Sequence, residues 1–266
     1  MAFNLASITS ETRLRAPRLI VLGVPKIGKS SFAAGSDRPV FIPIRREEGI
    51  DGIPAAKFPV CNTYQDVLSC LDALCSEQHI FGTSVLDSSS ALEPLVWDAA
   101  CARNGHVDSI EKVMGGYGKG YSEALKEWGQ ITDALDYLRN EKSMASIIIG
   151  HVKVKRFDSP EGESYDQWQW DINEKAASLL YKWADAIIFC NTKVVVRKED
   201  VGFKKEHKTG LDISGGQRFI YTQKNPAYPA GGRDVFGQLP AELPLNFGSY
   251  MDAVSAVSQK RQQQQQ

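Results

Sequence analysis

The sequence predicts an α/β fold: a mostly parallel sheet with helices on both faces, extended by antiparallel strands towards the C-terminal edge. Three observations carry this. Short apolar runs of strand length alternate with helix-period segments over residues 1–150. The first run stops at a glycine that opens Gly23-Val24-Pro25-Lys26-Ile27-Gly28-Lys29-Ser30, a loop placed between a strand and a helix. The late apolar runs are joined by short turns, which suits antiparallel pairing.

Taken in order, residues 1–16 are polar and read as a short arm. Arg18-Leu19-Ile20-Val21-Leu22 reads as a buried strand, and a helix starts near Ser30. Val40-Phe41-Ile42 is a second strand, ended by Pro43. Residues 63–74 place Val67, Leu68, Leu71 and Leu74 on one helical face, with Asn62 or Thr63 as its cap. Ser84-Val85-Leu86 is a third strand running into Asp87, and a helix follows over 92–103. Gly115–Gly120 is a glycine-rich loop before a helix over 122–140. Ser146-Ile147-Ile148-Ile149 is a buried strand ending at Gly150-His151. Residues 152–171 carry proline, glycine and many charges and read as a long exposed loop. A helix is expected over 173–184, then a hairpin pairing 186–190 with 194–196, then a strand over 218–222. The Gln262–Gln266 run is low-complexity and builds no core.

Composition is that of an ordinary globular chain: 266 residues, 42% hydrophobic and 24% charged. A net charge of −1 excludes a global basic field, so any nucleic-acid contact must be local. The five cysteines form no CxxC pair, which argues against a zinc site or disulfide framework and fits a reducing cytosol. The N-terminal stretch lacks a long apolar core, so no signal peptide is expected, and no apolar stretch is long enough to span a membrane.

The loop from Gly23 to Ser30 is the pattern GxxxxGKS of a phosphate-binding loop. The nucleotide-binding stretch is Gly23, Val24, Pro25, Lys26, Ile27, Gly28, Lys29, Ser30 and Ser31: Gly23 and Gly28 let the backbone wrap closely around a β-phosphate, and the loop's N–H groups point inward. Lys29 is expected to reach the β- and γ-oxygens of ATP, and the Ser30 hydroxyl to bind Mg²⁺. A carboxylate near that Mg²⁺ is required at the end of a neighbouring strand, and Asp87 fits.

The chain also resembles phage-encoded RecA-like P-loop ATPases, among them single-strand-annealing recombinases of the Sak type. The resemblance rests on GVPKIGKSSFAA (23–34), REEGIDGI (46–53), LDSSSALEPLVW (86–97), GGYGKGYSEALKEW (115–128), the block 147–177 and WADAIIF (183–189). It implies a RecA-like core over 17–250, an arm over 1–16 and a polar Gln-rich tail over 251–266. It implies a catalytic Glu47, with Glu48 as the alternative base, and a γ-phosphate sensor at His151. It further implies a homo-oligomer, ring or filament, whose ATP site is completed by Lys224 or Arg233 of the next subunit. Location in the bacterial host cytoplasm and a single-strand-binding protein as a further partner belong to the same expectation.

RecA-like proteins bind DNA through two loops, and here both carry suitable residues. The stretch after His151 offers Lys153, Lys155 and Arg156 for phosphates, and Trp168 and Trp170 for stacking. The other reading of this stretch is a β-hairpin whose tryptophans pack on the domain. The glycine-rich loop offers Tyr117 and Lys119; its other reading is a plain helix-entry turn. The function expected is an ATP-hydrolysing recombinase that binds single-stranded DNA and promotes annealing or strand exchange. The alternatives are a nucleotide-gated DNA-binding or loader protein with little turnover, and a P-loop small-molecule kinase.

Overall fold

Alternation of apolar strands with amphipathic helices builds the expected sheet. The computed structural model describes residues 15–47, 49–159, 162–200, 206–212 and 215–264. Most of the expected N-terminal arm, the alternative base Glu48 and the last two glutamines lie outside them. In chain order the elements are β1 (Arg18–Gly23), α1 (Lys29–Ala34), β2 (Pro39–Pro43), β3 (Ala56–Lys57), α2 (Tyr64–Ser76), β4 (Thr83–Asp87), α3 (Ser89–Arg103), α4 (Lys119–Glu123), α5 (Leu125–Glu141), β5 (Ala145–Phe157), β6 (Tyr165–Trp170) and α6 (Glu174–Trp183). Then come β7 (Ala186–Thr192), β8 (Val194–Asp200), β9 (Glu206–Asp212), β10 (Arg218–Tyr221), β11 (Gly231–Gly232), β12 (Glu242–Pro244) and α7 (Phe247–Gln264), with 3₁₀ turns at Ile110–Gly115 and Asp234–Gln238.

Among the described residues the main sheet has ten strands, in the order β12-β10-β7-β1-β5-β4-β2-β3 with β11 on β7 and β6 on β5. The run from β7 to β3 is parallel, whereas β10, β11 and β12 pair antiparallel at one edge. This is the mostly parallel sheet, with an antiparallel C-terminal edge, that the sequence predicts. The register sets Gly23 opposite both His151 and Cys190. Asp87 sits opposite Ile149, two residues before His151, so the strand tips carrying these groups form one edge.

Each central strand is buried on both faces, so successive residues enter different cores. Ile20, Leu22, Ile42, Leu86 and Ile148 pack with residues of α2, α3, α5 and α6. Leu19, Val21, Phe41, Val85 and Ile147 pack on the other face with Phe32 of α1 and Tyr250 and Val254 of α7. Of the two caps expected for α2, Thr63 is used: its hydroxyl accepts from Asp66 N at 3.1 Å, and the Asp66 carboxylate accepts from Thr63 N at 2.9 Å. The five cysteines are free thiols, four of them buried.

Three expectations change. Residues 152–171 are not a loop: β5 continues to Phe157 and pairs with β6, because Val152–Phe157 alternate well enough to carry the ladder onward. β8 does not fold back on β7, since both edges of β7 are filled by β1 and by β10 and β11; it pairs with β9 instead. Helix α7 crosses residue 250 and buries Tyr250 and Val254, so ordered packing extends into the stretch expected as a polar tail. No helix among the described residues is long and apolar enough to cross a membrane.

Candidate active site

The phosphate loop is built where β1 must turn abruptly into α1. Gly23 has no room for a side chain, since a Cβ there would lie 2.5 Å from the Cys190 carbonyl oxygen of β7. Gly28 adopts φ of 110°, a conformation that favours glycine. Ile27 anchors the loop in the core, while Pro25 and Lys26 face solvent. Lys29 is only 5% exposed, and its ammonium donates to the carbonyls of Gly23 and Val24, both at 3.0 Å. Burial holds its pKa below the ordinary lysine value, although Asp87 and Glu47 favour the charge.

Four side chains from four separate segments meet at this loop. Ser30 Oγ donates to Asp87 Oδ2 at 2.7 Å. Burial pushes the Asp87 carboxyl up, against the bond from Ser30 and the Lys29 charge. Glu47, just beyond β2, lies 3.0 Å from His151 Nε2 and accepts from Ser88 Oγ at 2.6 Å. Burial opposes the Glu47 charge, but the His151 and Ser88 bonds outweigh it and hold that carboxyl below its usual range. His151 Nδ1 faces Lys29 Nζ at 3.4 Å. An ammonium has donors only, so Nδ1 accepts and the ring hydrogen sits on Nε2, pointing at Glu47. Lys29, His151 and Glu47 therefore form a hydrogen-bonded line from the phosphate loop to the carboxylate.

A hydroxyl and a carboxylate 2.7 Å apart are hard oxygen donors suited to Mg²⁺. No cluster of three His, Cys, Asp or Glu side chains able to cage a metal occurs among the described residues. The donor set thus fits a cation shared with substrate phosphates and water, with Ser30 and Asp87 as the protein's part.

Arg218 and the serines after Asp87 were not singled out as site residues from the sequence. Arg218 on β10 donates to the Ile27 carbonyl at 3.1 Å, from 191 residues away. With Gly28, Ser31, Phe219, Pro244 and Leu245 it borders a cavity of about 600 Å³ beside the phosphate loop. No local pattern marks Arg218; only the antiparallel edge brings it there.

Residues 15–233 match the family model described as an AAA domain. The chain belongs to the AAA domain family. In this AAA domain the phosphate loop and the carboxylates Asp87 and Glu47 all sit inside the matched span. Among solved structures, the crystal structure of the RadB recombinase is similar at 12% identity and a TM-score of 0.39, covering 78% of this chain and 81% of that one. No curated protein matches the chain.

Beyond His151 the AAA domain departs from expectation. Opposite faces of the β5–β6 hairpin carry different side chains. Register places Val152, Val154 and Arg156 with Trp170, Trp168 and Asp166 on one face. Trp170 is 2% exposed, and its indole donates to Ser89 Oγ at 3.0 Å, so it is a core residue and not a stacking platform. Trp168 is half-buried, near Phe189. The packing reading of the tryptophans is the one that holds for Trp170. The other face carries Lys153, Lys155, Gln167 and Gln169, with Phe157 and Tyr165 as a ring pair 5.4 Å apart near the turn. Lys153 is paired with Asp171 at 2.8 Å.

Tyr117 is 99% exposed at the crest of five consecutive positive-φ residues, Met114 to Gly118, which the three glycines make accessible. Lys119 beside it is exposed. Lys175 of α6 donates to Gly118 O and to Ser122 Oγ, tying this loop to the helix that follows the hairpin. Lys224 is exposed in the turn after β10. Arg233 is not placed as a mobile finger: its guanidinium donates to the carbonyls of Lys182, Trp183 and Ala184 at the end of α6 and lies 3.6 Å from buried Asp185. It closes a helix C-terminus, whose exposed carbonyls attract a cation.

Proposed function

We propose that the chain hydrolyses ATP with Mg²⁺ and binds single-stranded DNA as an oligomeric recombinase of the Sak type, promoting annealing or strand exchange. Lys29 and the loop N–H groups take the β- and γ-phosphates, and the nucleoside extends into the cavity beside Arg218. Ser30 and Asp87 would hold Mg²⁺, which would supply positive charge against the phosphates. Glu47 orients a water for in-line attack on the γ-phosphorus; the bond to the β–γ bridging oxygen breaks, giving ADP and phosphate. The water's proton passes to the Glu47 carboxylate and then to solvent. The lowered pKa of Glu47 keeps it ionised and able to accept.

One observation carries the DNA half of this reading. β5 runs unbroken from His151, in the Lys29–His151–Glu47 line, into the exposed face bearing Lys153, Lys155 and Phe157. A strand is stiff, so a shift at His151 moves the hairpin. Cations and exposed rings on a narrow ridge suit the backbone and bases of a single strand. Tyr117 and Lys119, exposed in the loop that Lys175 of α6 holds through Gly118, are the second proposed DNA contact.

ATPase rate with and without single-stranded DNA, on wild type and Lys29→Ala, tests the reading. Stimulation by DNA that disappears in Lys29→Ala is expected. An ATPase rate that ignores DNA would remove the recombinase reading while leaving the nucleotide site standing.

A further inference from the structure

Three consecutive serines open α3, and each holds a different part of the molecule. Ser88 Oγ donates to the Glu47 carboxylate at 2.6 Å. Ser90 Oγ accepts from the backbone N–H of His151 at 3.2 Å. Between them, Ser89 Oγ donates to the Ile149 carbonyl at 2.9 Å and accepts from the Trp170 indole at 3.0 Å. Ser89 is 0% exposed and Trp170 2%, so neither group has water as an alternative partner. A side chain at position 150 would collide with the Trp170 indole nitrogen; Gly150 is what lets β6 lie this close. One turn on, the Glu93 carboxylate accepts from Asn173 N at 2.8 and 3.0 Å, gripping the link from β6 into α6. Helix α3 begins directly after Asp87, so its first turn touches the cation ligand, the base, the sensor strand and the hairpin at once.

We infer that Ser89 is a positioning residue that couples the nucleotide site to the hairpin, through its bond to Trp170. This rests on the reading that the phosphate loop takes a nucleoside triphosphate with Mg²⁺, and not on DNA binding. When Asp87 and Glu47 engage substrate, the first turn of α3 shifts with them. Ser89 then carries the shift to Trp170 and sets the pose of β6, while Ile149 carries it along β5. Serine fits this place because a hydroxyl gives and takes one bond at the same atom. Coupling of this kind needs a packed element that links both sites, and the first turn of α3, with directional bonds on three sides, is in contact with both.

Hydrogen–deuterium exchange of the full chain, with and without Mg²⁺ and a non-hydrolysed ATP analogue, tests the coupling without DNA. In wild type, nucleotide should slow exchange at residues 23–34 and change it by about threefold or more across 152–157 and 165–170. Ser89→Ala should keep the change at 23–34 and lose the change in the hairpin. Trp170→Phe, which removes the indole donor and keeps a ring, should do the same and decides the matter if Ser89→Ala does not fold. A hairpin that responds to nucleotide in both variants as in wild type overturns the inference. A wild-type hairpin that ignores nucleotide while 23–34 responds overturns it too, with the nucleotide site intact. No response at 23–34 overturns both.

Discussion

On one side of His151, the charges of Lys29, Glu47 and Asp87 are buried or half-buried and compensated by one another, by Ser30, Ser88 and by backbone carbonyls. On the other side, the β5–β6 hairpin keeps its ionisable groups in water and hides Trp170. Buried charge is costly unless each group meets a partner of fixed geometry, so few residue types at few spacings are allowed. An exposed ridge imposes no such restriction. What matters there is which face a side chain takes, and that alternates with every residue. Chemistry is therefore concentrated in a motif on one side and spread over a strand pattern on the other.

The sharpest test of the buried side is Lys29→Ala, which removes the ammonium proposed to bind the phosphates. ATP turnover is expected to fall about 10³-fold, read by phosphate release; a loss under about tenfold breaks the comparison at its strongest point. Glu47→Gln comes next. It preserves the shape that Ser88 and His151 hold but cannot accept a proton, so turnover should drop about 10²-fold while nucleotide affinity stays near wild type. Equal losses in affinity and turnover would make Glu47 a structural group.

Glu93 lies between the two regions, and pH sharpens its part. Burial pushes its carboxyl up to about 7, against the bond from Asn173 N. The folded protein therefore holds a proton that the unfolded chain releases. This contribution to stability is complete below the ordinary value of 4.5 and is lost as pH rises through about 7. Glu93→Gln lacks that loss, so its melting temperature relative to wild type should climb by on the order of 5 °C from about pH 5 to about pH 8. A constant difference would show that Glu93 is not the titrating group.

Smaller effects are expected on the exposed side. Phe157→Ala should weaken single-stranded DNA binding about tenfold, the scale of one stacked base, with folding unchanged. If Trp168→Ala weakens binding more, the two faces of the hairpin have been assigned the wrong way round. Lys155→Ala should lower the slope of log affinity against log salt by about one, measured by fluorescence anisotropy. An unaltered slope would place the DNA backbone elsewhere.

Much of the fold and of the buried site was legible in the residues. The apolar runs at β1, β2, β4, β5 and β7 are read directly because strands buried on both faces are continuous apolar segments. Gly23, Gly28, Lys29 and Ser30 are read from spacing, and Asp87 from its place at a strand end. Glu47 and His151 came only with the resemblance to RecA-like ATPases, since a lone acid or histidine at a strand end carries little local signal. For residues 152–171 the sequence favours a loop over a hairpin because Lys153, Lys155 and Arg156 mask the alternation that Val152 and Val154 maintain.

By itself the sequence determined the parallel core, the glycine-rich loop after β1 and the strand-end carboxylate Asp87 beside it, because those depend on local periodicity and on backbone conformations that only certain residues allow. Tertiary structure decided that Trp170 is buried and Phe157 is displayed, that Arg218 meets the phosphate loop, that Arg233 closes α6, and that Ser88, Ser89 and Ser90 hold three different parts. Each of these rests on contacts between segments far apart in the chain, and no spacing rule reaches across them.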